Sequence, residues 1–277
     1  MVRRRRRLLL VALSVCLVAT GCGEDTQRDA TTAPTTAAPG TGDTSSTPAT
    51  TAAPEPAYRS WIANVRPEVH SVVVHDAPNG PQLRLDTKGD GKLRPVTIAN
   101  PLPSGAPTTF RIKQRDVAAG GAGWHEVYVP VRPNGSTGWI ADADVTLTNT
   151  DMSATIDLAT HQLQLSDQGA VVATYPVAAG HAPDTPTPTG EFYVKELVQP
   201  PSPKGAYGPL AYGLSAFSPT LVDTDAFADG VIGIHGTNEP QLIGQNVSHG
   251  CVRVRNDDVL DLQRRQVPLG MPVTITA

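Results

Sequence analysis

The twenty residues from His235 to Val254, HGTNEPQLIGQNVSHGCVRV, contain Cys251, the only cysteine beyond position 22. His249 precedes it by two residues, and His235 ends the apolar run Val231-Ile232-Gly233-Ile234. The thiolate, not the thiol, attacks a carbonyl carbon, and at a free pKa of about 8.5 only a few per cent of a cysteine is ionised at neutral pH. A hydrogen-bonded imidazole removes that handicap. The stretch therefore reads as a nucleophile with a base. From composition alone the competing reading is a small buried filler.

The 277 residues leave room for one or two domains plus tails. A net charge of -4 and a pI near 5.9 give no sign of a nucleic-acid binder. Few aromatics and 26 prolines favour strands, turns and a linker over a helical bundle. Residues 3–7 are five arginines, followed by the apolar run Leu8 to Ala19, too short for a comfortable membrane span. The run ends in Ala19-Thr20-Gly21-Cys22, which resembles a bacterial lipobox, with alanine where leucine is commonest. That resemblance implies a signal peptide over 1–21, cleavage before Cys22 and a lipid on its thiol, which would hold the chain on the outer face of a bacterial membrane. The arginines leave the export route open between the general and twin-arginine systems. Cys251 is then the single remaining cysteine of an exported chain, with no partner for an internal disulfide.

Residues 22–57 are Thr/Ala/Pro-rich, with almost nothing apolar to bury, and read as a disordered tether. Fully polyproline-like, about 35 residues would reach ~110 Å, and as a coil ~30 Å.

Residues 58–149 read as a small β module. Val72 to His75 is a candidate strand, and Leu83–Asp86 and Leu93–Ile98 flank the hairpin connection Thr87 to Gly91. Asp86 and Asp90 superficially suggest a calcium loop, but Thr97 stands where a bidentate glutamate is needed. Further on, Val127, Val129 and Val131 alternate onto one face, and Arg132-Pro133-Asn134-Gly135 turns the chain into Gly138-Trp139-Ile140. The run from Trp124 to Ile140 resembles bacterial Src-homology-3-like barrels, which implies a wall-polymer binder or a rigid spacer. His70, His75 and His125 read as surface or loop histidines.

From 150 to 277 the alternation resumes, in Ala154–Leu158, Gln162–Leu165, Val171–Ala178 and Glu191–Val198. Pro200 to Pro219, carrying Tyr207, Tyr212 and Phe217, reads as a mobile lid over a cleft. Asn256 reads as the N-cap of a short helix, with Asp257 and Asp258 in its first turn and Arg264 and Arg265 in its last. Pro272 to Thr276 returns as a strand. The predicted fold class is mostly β, a small barrel followed by antiparallel sheets with one or two short helices.

His235-Gly236-Thr237 followed by Ser248-His249-Gly250-Cys251-Val252-Arg253, with the Thr187-Pro188-Thr189-Gly190 loop and the Asp157-Leu158 opening, resembles the YkuD-type L,D-transpeptidase catalytic domain. The resemblance covers roughly residues 152–276, with Arg253 where asparagine is frequent. It implies a cysteine acyltransferase acting on peptidoglycan stem peptides, with D-alanine released and a 3→3 cross-link formed. Carbapenem-type β-lactams would acylate the same thiol.

In that reading Cys251 is the nucleophile and His235 the base. The Gly236 carbonyl fixes the His235 tautomer, and His249 supports the loop. The N–H groups of Gly250 and Cys251 face the oxyanion, with Tyr212 a weaker donor. Arg253, Ser248, Thr237 and Tyr212 lie on the substrate side. Arg253 offers a fork for a stem carboxylate or a salt bridge, and Ser248 is better suited to local hydrogen bonding than to reaction. No cofactor or metal is implied, and nothing suggests an obligate assembly, so a monomer is expected.

Three rivals remain at this stage. Water as acceptor gives an L,D-carboxypeptidase. A zinc hydrolase using His235, His249 and Cys251 has legal ligand types but no metal-site spacing. An inert wall-binding lipoprotein would have no use for both Cys251 and His235.

Overall fold

The alternation that marks residues 60–65 and 109–128 as half-buried strands places Ala63, Val65, Phe110, Ile112 and Val127 on one buried face. The computed structural model describes residues 54–221 and 230–277. The expected signal peptide, Cys22 and nearly all of the expected tether lie outside the described residues.

The first sheet has the order β8-β7-β6-β1-β9. Its strands are β1 (Ser60–Val65), β6 (Thr109–Ala119), β7 (Ala122–Tyr128), β8 (Thr137–Ala141) and β9 (Val145–Thr150). Two small pairs complete this half. One joins β2 (Ser71–Val73) to β5 (Thr97–Ala99), and the other joins β3 (Arg84–Leu85) to β4 (Arg94–Pro95). Asp86 does not gather metal ligands; its carboxylate accepts the N–H groups of Lys88, Asp90 and Gly91, which closes the hairpin loop. His125 corrects its surface assignment. It is buried, with Nε2 2.9 Å from Asp142 Oδ1, because it sits mid-strand on the covered face of β7.

The second sheet is eight-stranded, in the order β12-β11-β10-β19-β14-β15-β16-β18. It comprises β10 (Met152–Asp157), β11 (Gln162–Asp167), β12 (Ala170–Pro176), β14 (Gly190–Val198), β15 (Ala211–Phe217), β16 (Val231–His235), β18 (Val252–Arg253) and β19 (Pro272–Thr276). The short strands β13 (Ala179–Gly180) and β17 (Asn246–Ser248) pair alongside it. Most pairings are antiparallel, but β19 inserts parallel to β10, and β18 runs parallel to β16. A separate apolar core fills this half, with Ile156, Leu163, Leu165, Leu214 and Val254 fully buried. One helix, α1 (Asn256–Arg264), packs Val259 and Leu262 into it.

Two expectations are corrected here. The residue at the helix N-cap is Arg255, because the Asn256 side chain is already engaged in accepting the Thr237 N–H at 2.9 Å. The supposed lid is only half a loop, since Ala211–Phe217 forms β15, buried almost throughout between β14 and β16. The residues it turns to the cleft, Ala211, Gly213 and Phe217, are not polar, so it lacks the alternation that marks a half-buried strand.

The two halves are joined by specific contacts. The Arg132 guanidinium donates to the carbonyls of Ser218 (3.1 Å) and Leu221 (2.8 Å) and lies 4.8 Å above the Phe217 ring. Asn134 exchanges two hydrogen bonds with the Phe217 backbone.

Candidate active site

The residues of the opening stretch come together because β16 and β18 are parallel neighbours. Ile234 pairs with Val252 and His235 with Arg253, so the intervening residues make a crossover that brings Cys251 back beside Gly233. Gly233 N–H points at Cys251 Sγ from 3.4 Å, and the thiol faces the Val231 carbonyl at 3.8 Å. His235, two residues along the same strand, projects from the same face. Strand geometry sets the Cα atoms of Cys251 and His235 roughly 8 Å apart. Both side chains line one cleft of about 1130 Å³, together with His249, Ser248 and Arg253.

His235 is 4% exposed, and its Nδ1 lies 2.6 Å from the Gly236 carbonyl oxygen. A carbonyl only accepts, so Nδ1 carries the proton and Nε2 keeps a lone pair. Burial lowers the His235 pKa to about 4; the Gly236 carbonyl pulls it up, and Arg253 adds to the lowering. Burial pushes the Cys251 thiol up, with the Gly233 N–H and Arg253 opposing. At neutral pH the pair therefore rests as thiol and imidazole, not as an ion pair.

The loop around Cys251 is held from below. Ser248 Oγ donates to the Cys251 carbonyl at 2.5 Å and accepts the Gly250 N–H at 3.1 Å. Thr187 Oγ1 donates to the Gly250 carbonyl, and Thr185 Oγ1 to that of Ser248. These bonds revise several expectations. The Gly250 N–H is occupied by Ser248, so it does not face an oxyanion. Ser248 braces the turn and is 2% exposed. Thr237 is also 2% exposed, with its N–H on Asn256 and its Oγ1 accepting the Glu239 N–H, outside the cleft. Tyr212 is 1% exposed on the core face of β15, its hydroxyl unpartnered there, because alternation turns it away from Ala211 and Gly213 on the cleft side. Arg253 does line the cleft, with one guanidinium nitrogen 3.0 Å from Glu239. His249 is exposed at the cleft edge. Among the described residues no three His, Cys, Asp or Glu side chains converge as a metal site.

One residue was missed. Tyr207 lays its ring over His235, centroids 4.7 Å apart. Its phenol pKa is raised by burial and by Cys251 nearby. The signal was the next residue, Gly208, at φ +64°, where a Cβ would fall 2.6 Å from Gly236 Cα and collide with Asn256 Oδ1. Only glycine lets this segment lie flat on the His235–Gly236 backbone. Gly208→Ala is therefore expected to lower Tm by several degrees, through about 1–3 kcal/mol of strain. Lifting Tyr207 off His235 should also cut turnover at least about tenfold, as followed by melting and product assays.

Comparison with known proteins places these residues in a family context. Residues 151–275 match the model for the YkuD family, the L,D-transpeptidase catalytic domain. A Bacillus subtilis chain named "Putative L,D-transpeptidase YkuD" is 40% identical over 120 residues, which is 43% of this chain and 63% of that one. This chain thus spans less than two thirds of that curated relative. Among solved structures, L,D-transpeptidase 3 from Mycobacterium tuberculosis, in complex with a faropenem-derived adduct, is 14% identical with a TM-score of 0.37, over 60% of this chain and 96% of that one. The catalytic domain of the E. faecium L,D-transpeptidase is 23% identical with a TM-score of 0.32, over 45% and 96%. Over residues 151–275, then, the chain matches the YkuD model of an L,D-transpeptidase catalytic domain.

Proposed function

We propose that the chain is a peptidoglycan L,D-transpeptidase in which Cys251 forms an acyl-enzyme with a tetrapeptide stem. The observation that carries this reading is the pair of side chains on one cleft face, a thiol beside Gly233 and an imidazole with Nε2 left free by the Gly236 carbonyl. In this reading Nε2 and the thiol close to hydrogen-bond distance when substrate binds, as catalytic contacts do.

His235 Nε2 takes the thiol proton as Sγ attacks the carbonyl ahead of the terminal D-alanine. The oxyanion faces the Cys251 N–H, with the protonated Tyr207 hydroxyl as a second donor. The C–N bond breaks, the imidazolium proton goes to the leaving amine, and a thioester remains. A side-chain amine of a second stem attacks that carbonyl, and its proton returns through His235 to the sulfur as the C–S bond breaks. Exchanging one amide for another through a thioester keeps the acyl group activated, which direct hydrolysis would waste.

The Tyr207 ring against the buried His235 favours transfer over hydrolysis, by restricting water beside the base. Arg253 is the cation for a stem carboxylate, shared with Glu239. The domain reading assigns 58–149 to a Src-homology-3-like module and 150–277 to the transpeptidase domain; two separate apolar cores support the division. A lipid on Cys22 and a position outside the membrane belong to the same proposal, and a carbapenem is its expected covalent inhibitor.

Incubated with a tetrapeptide-stem muropeptide, the protein should release D-alanine and give a cross-linked dimer by mass spectrometry. Trimmed monomers without dimers would make it a carboxypeptidase.

A further inference from the structure

The cleft extends well past Cys251. Its volume exceeds the ~300–1,000 Å³ usual for one small ligand, and its far wall is charged. On β14, Lys195 Nζ lies 2.9 Å from Glu196 Oε1, each side chain 13% exposed. Neighbouring residues of a regular strand face opposite ways, yet both line the cleft. The cause is a bulge between Val194 and Glu196, where the pairing to β15 shifts register. Bulges of this kind re-aim side chains beside functional sites.

Glu196 reaches back toward the sulfur. It pairs with Gly213, Gly213 pairs with Gly233, and the Gly233 N–H points at Sγ. A Cβ on Gly213 would fall 2.6 Å from Glu196 Cγ and 2.7 Å from its Oε1, so the carboxylate lies over that glycine. From there the next strand is about 4.8 Å away. Gly213 and Gly233 thus put no side chain of their own between the ion pair and the thiol. Ser104, from the N-terminal half, also lines the cleft and hydrogen-bonds Glu196. Burial opposes the charge on Glu196, but Lys195 and Ser104 outweigh it and keep the carboxylate ionised.

We propose that Lys195 and Glu196, with Ser104 behind them, form a second subsite that takes the acceptor, and that the acceptor ends in a zwitterion, an ammonium next to a carboxylate. An adjacent cation and anion in a half-buried wall complement that pattern: Glu196 takes the ammonium and Lys195 the carboxylate. A plain terminal amine would leave Lys195 without its share of the contact. The bound ammonium gives one proton to water before attack and its second through His235 to the leaving sulfur. The inference rests on the acyl-transfer reading above.

The test sets two acceptor stems in competition for one donor stem on the full-length protein, one with the free side-chain carboxylate and one with it amidated. The native protein should favour the free carboxylate about tenfold, the size expected of one charge-assisted contact. Lys195→Met should shrink that preference to about twofold or less. Glu196→Gln should lower dimer from both acceptors and divert the thioester to a trimmed monomer. Both variants should still gain mass from a carbapenem on Cys251, which shows that they are folded with the nucleophile in place. An even-handed native protein, or variants that label on Cys251 yet keep the native preference, would overturn the subsite alone. Failure of the native protein to label would overturn the acyl-transfer reading, and the subsite with it.

Discussion

Cys251→Ala is expected to abolish the mass increase that a carbapenem leaves on the native protein and to cut dimer formation at least about a thousandfold. Without Sγ the Gly233 N–H has no sulfur to meet, and His235 has no proton to take from a nucleophile. Water positioned by chance in the cleft would give hydrolysis at best, and removal of a nucleophile costs about as much as removal of the whole catalytic set. Alanine fills most of the same space at a site that is only partly exposed, so Tm should move by no more than a few degrees. Intact-mass spectrometry and a melt, run on the same sample, give both readings. Labelling that persisted in the variant would place the acylated group elsewhere and end the case for Cys251.

His235→Asn should lower kcat/KM by about 10²–10⁴, the usual share of a positioned base. The pH dependence is the more telling result. With a folded pKa of about 4 against an ordinary value near 6.5, the unfolded chain binds more protons than the folded one between those limits. Stability therefore rises with pH across that window, is fully present above about 6.5, and is lost as pH falls toward 4. The difference of about 2.5 pH units corresponds to about 3 kcal/mol. The acid limb of kcat/KM should fall near pH 4 instead of 6.5, because the base keeps its lone pair down to that point. In His235→Asn the part of the stability slope between pH 4 and 6.5 that belongs to this histidine should vanish. An unchanged slope, measured by denaturant titration at several pH values, would mean that His235 is not the buried neutral base described.

Much of the mostly-β fold was legible because half-buried strands alternate. Ala154–Leu158, Gln162–Leu165 and Pro272–Thr276 betray themselves that way and form β10, β11 and β19. The strand Ala211–Phe217 did not, since its cleft face is mostly small or apolar and carries a glycine where Glu196 lies across it. With no polar alternation and prolines on either side, it read as part of a loop. Tyr212 was misassigned for the same reason, because its direction depends on a strand that was not seen. The gathering of His235 and Cys251 was suggested by the motif. The occupation of Gly250 N–H by Ser248 was not, because hydrogen bonds inside a turn depend on backbone angles that residue names do not specify. The joint exposure of Lys195 and Glu196 on one side depends on a bulge, and a bulge leaves no mark in a period-two pattern.

Arg132 and Asn134 grip the chain just where it leaves β15, and that stretch next returns as β16, the strand that ends in His235. In mechanical terms, the N-terminal half is a bracket bolted to the frame that carries the His235 ring. Protein engineers who trim such a chain to its last 128 residues would remove that bracket, and the strand ending in His235 would have to hold its own alignment.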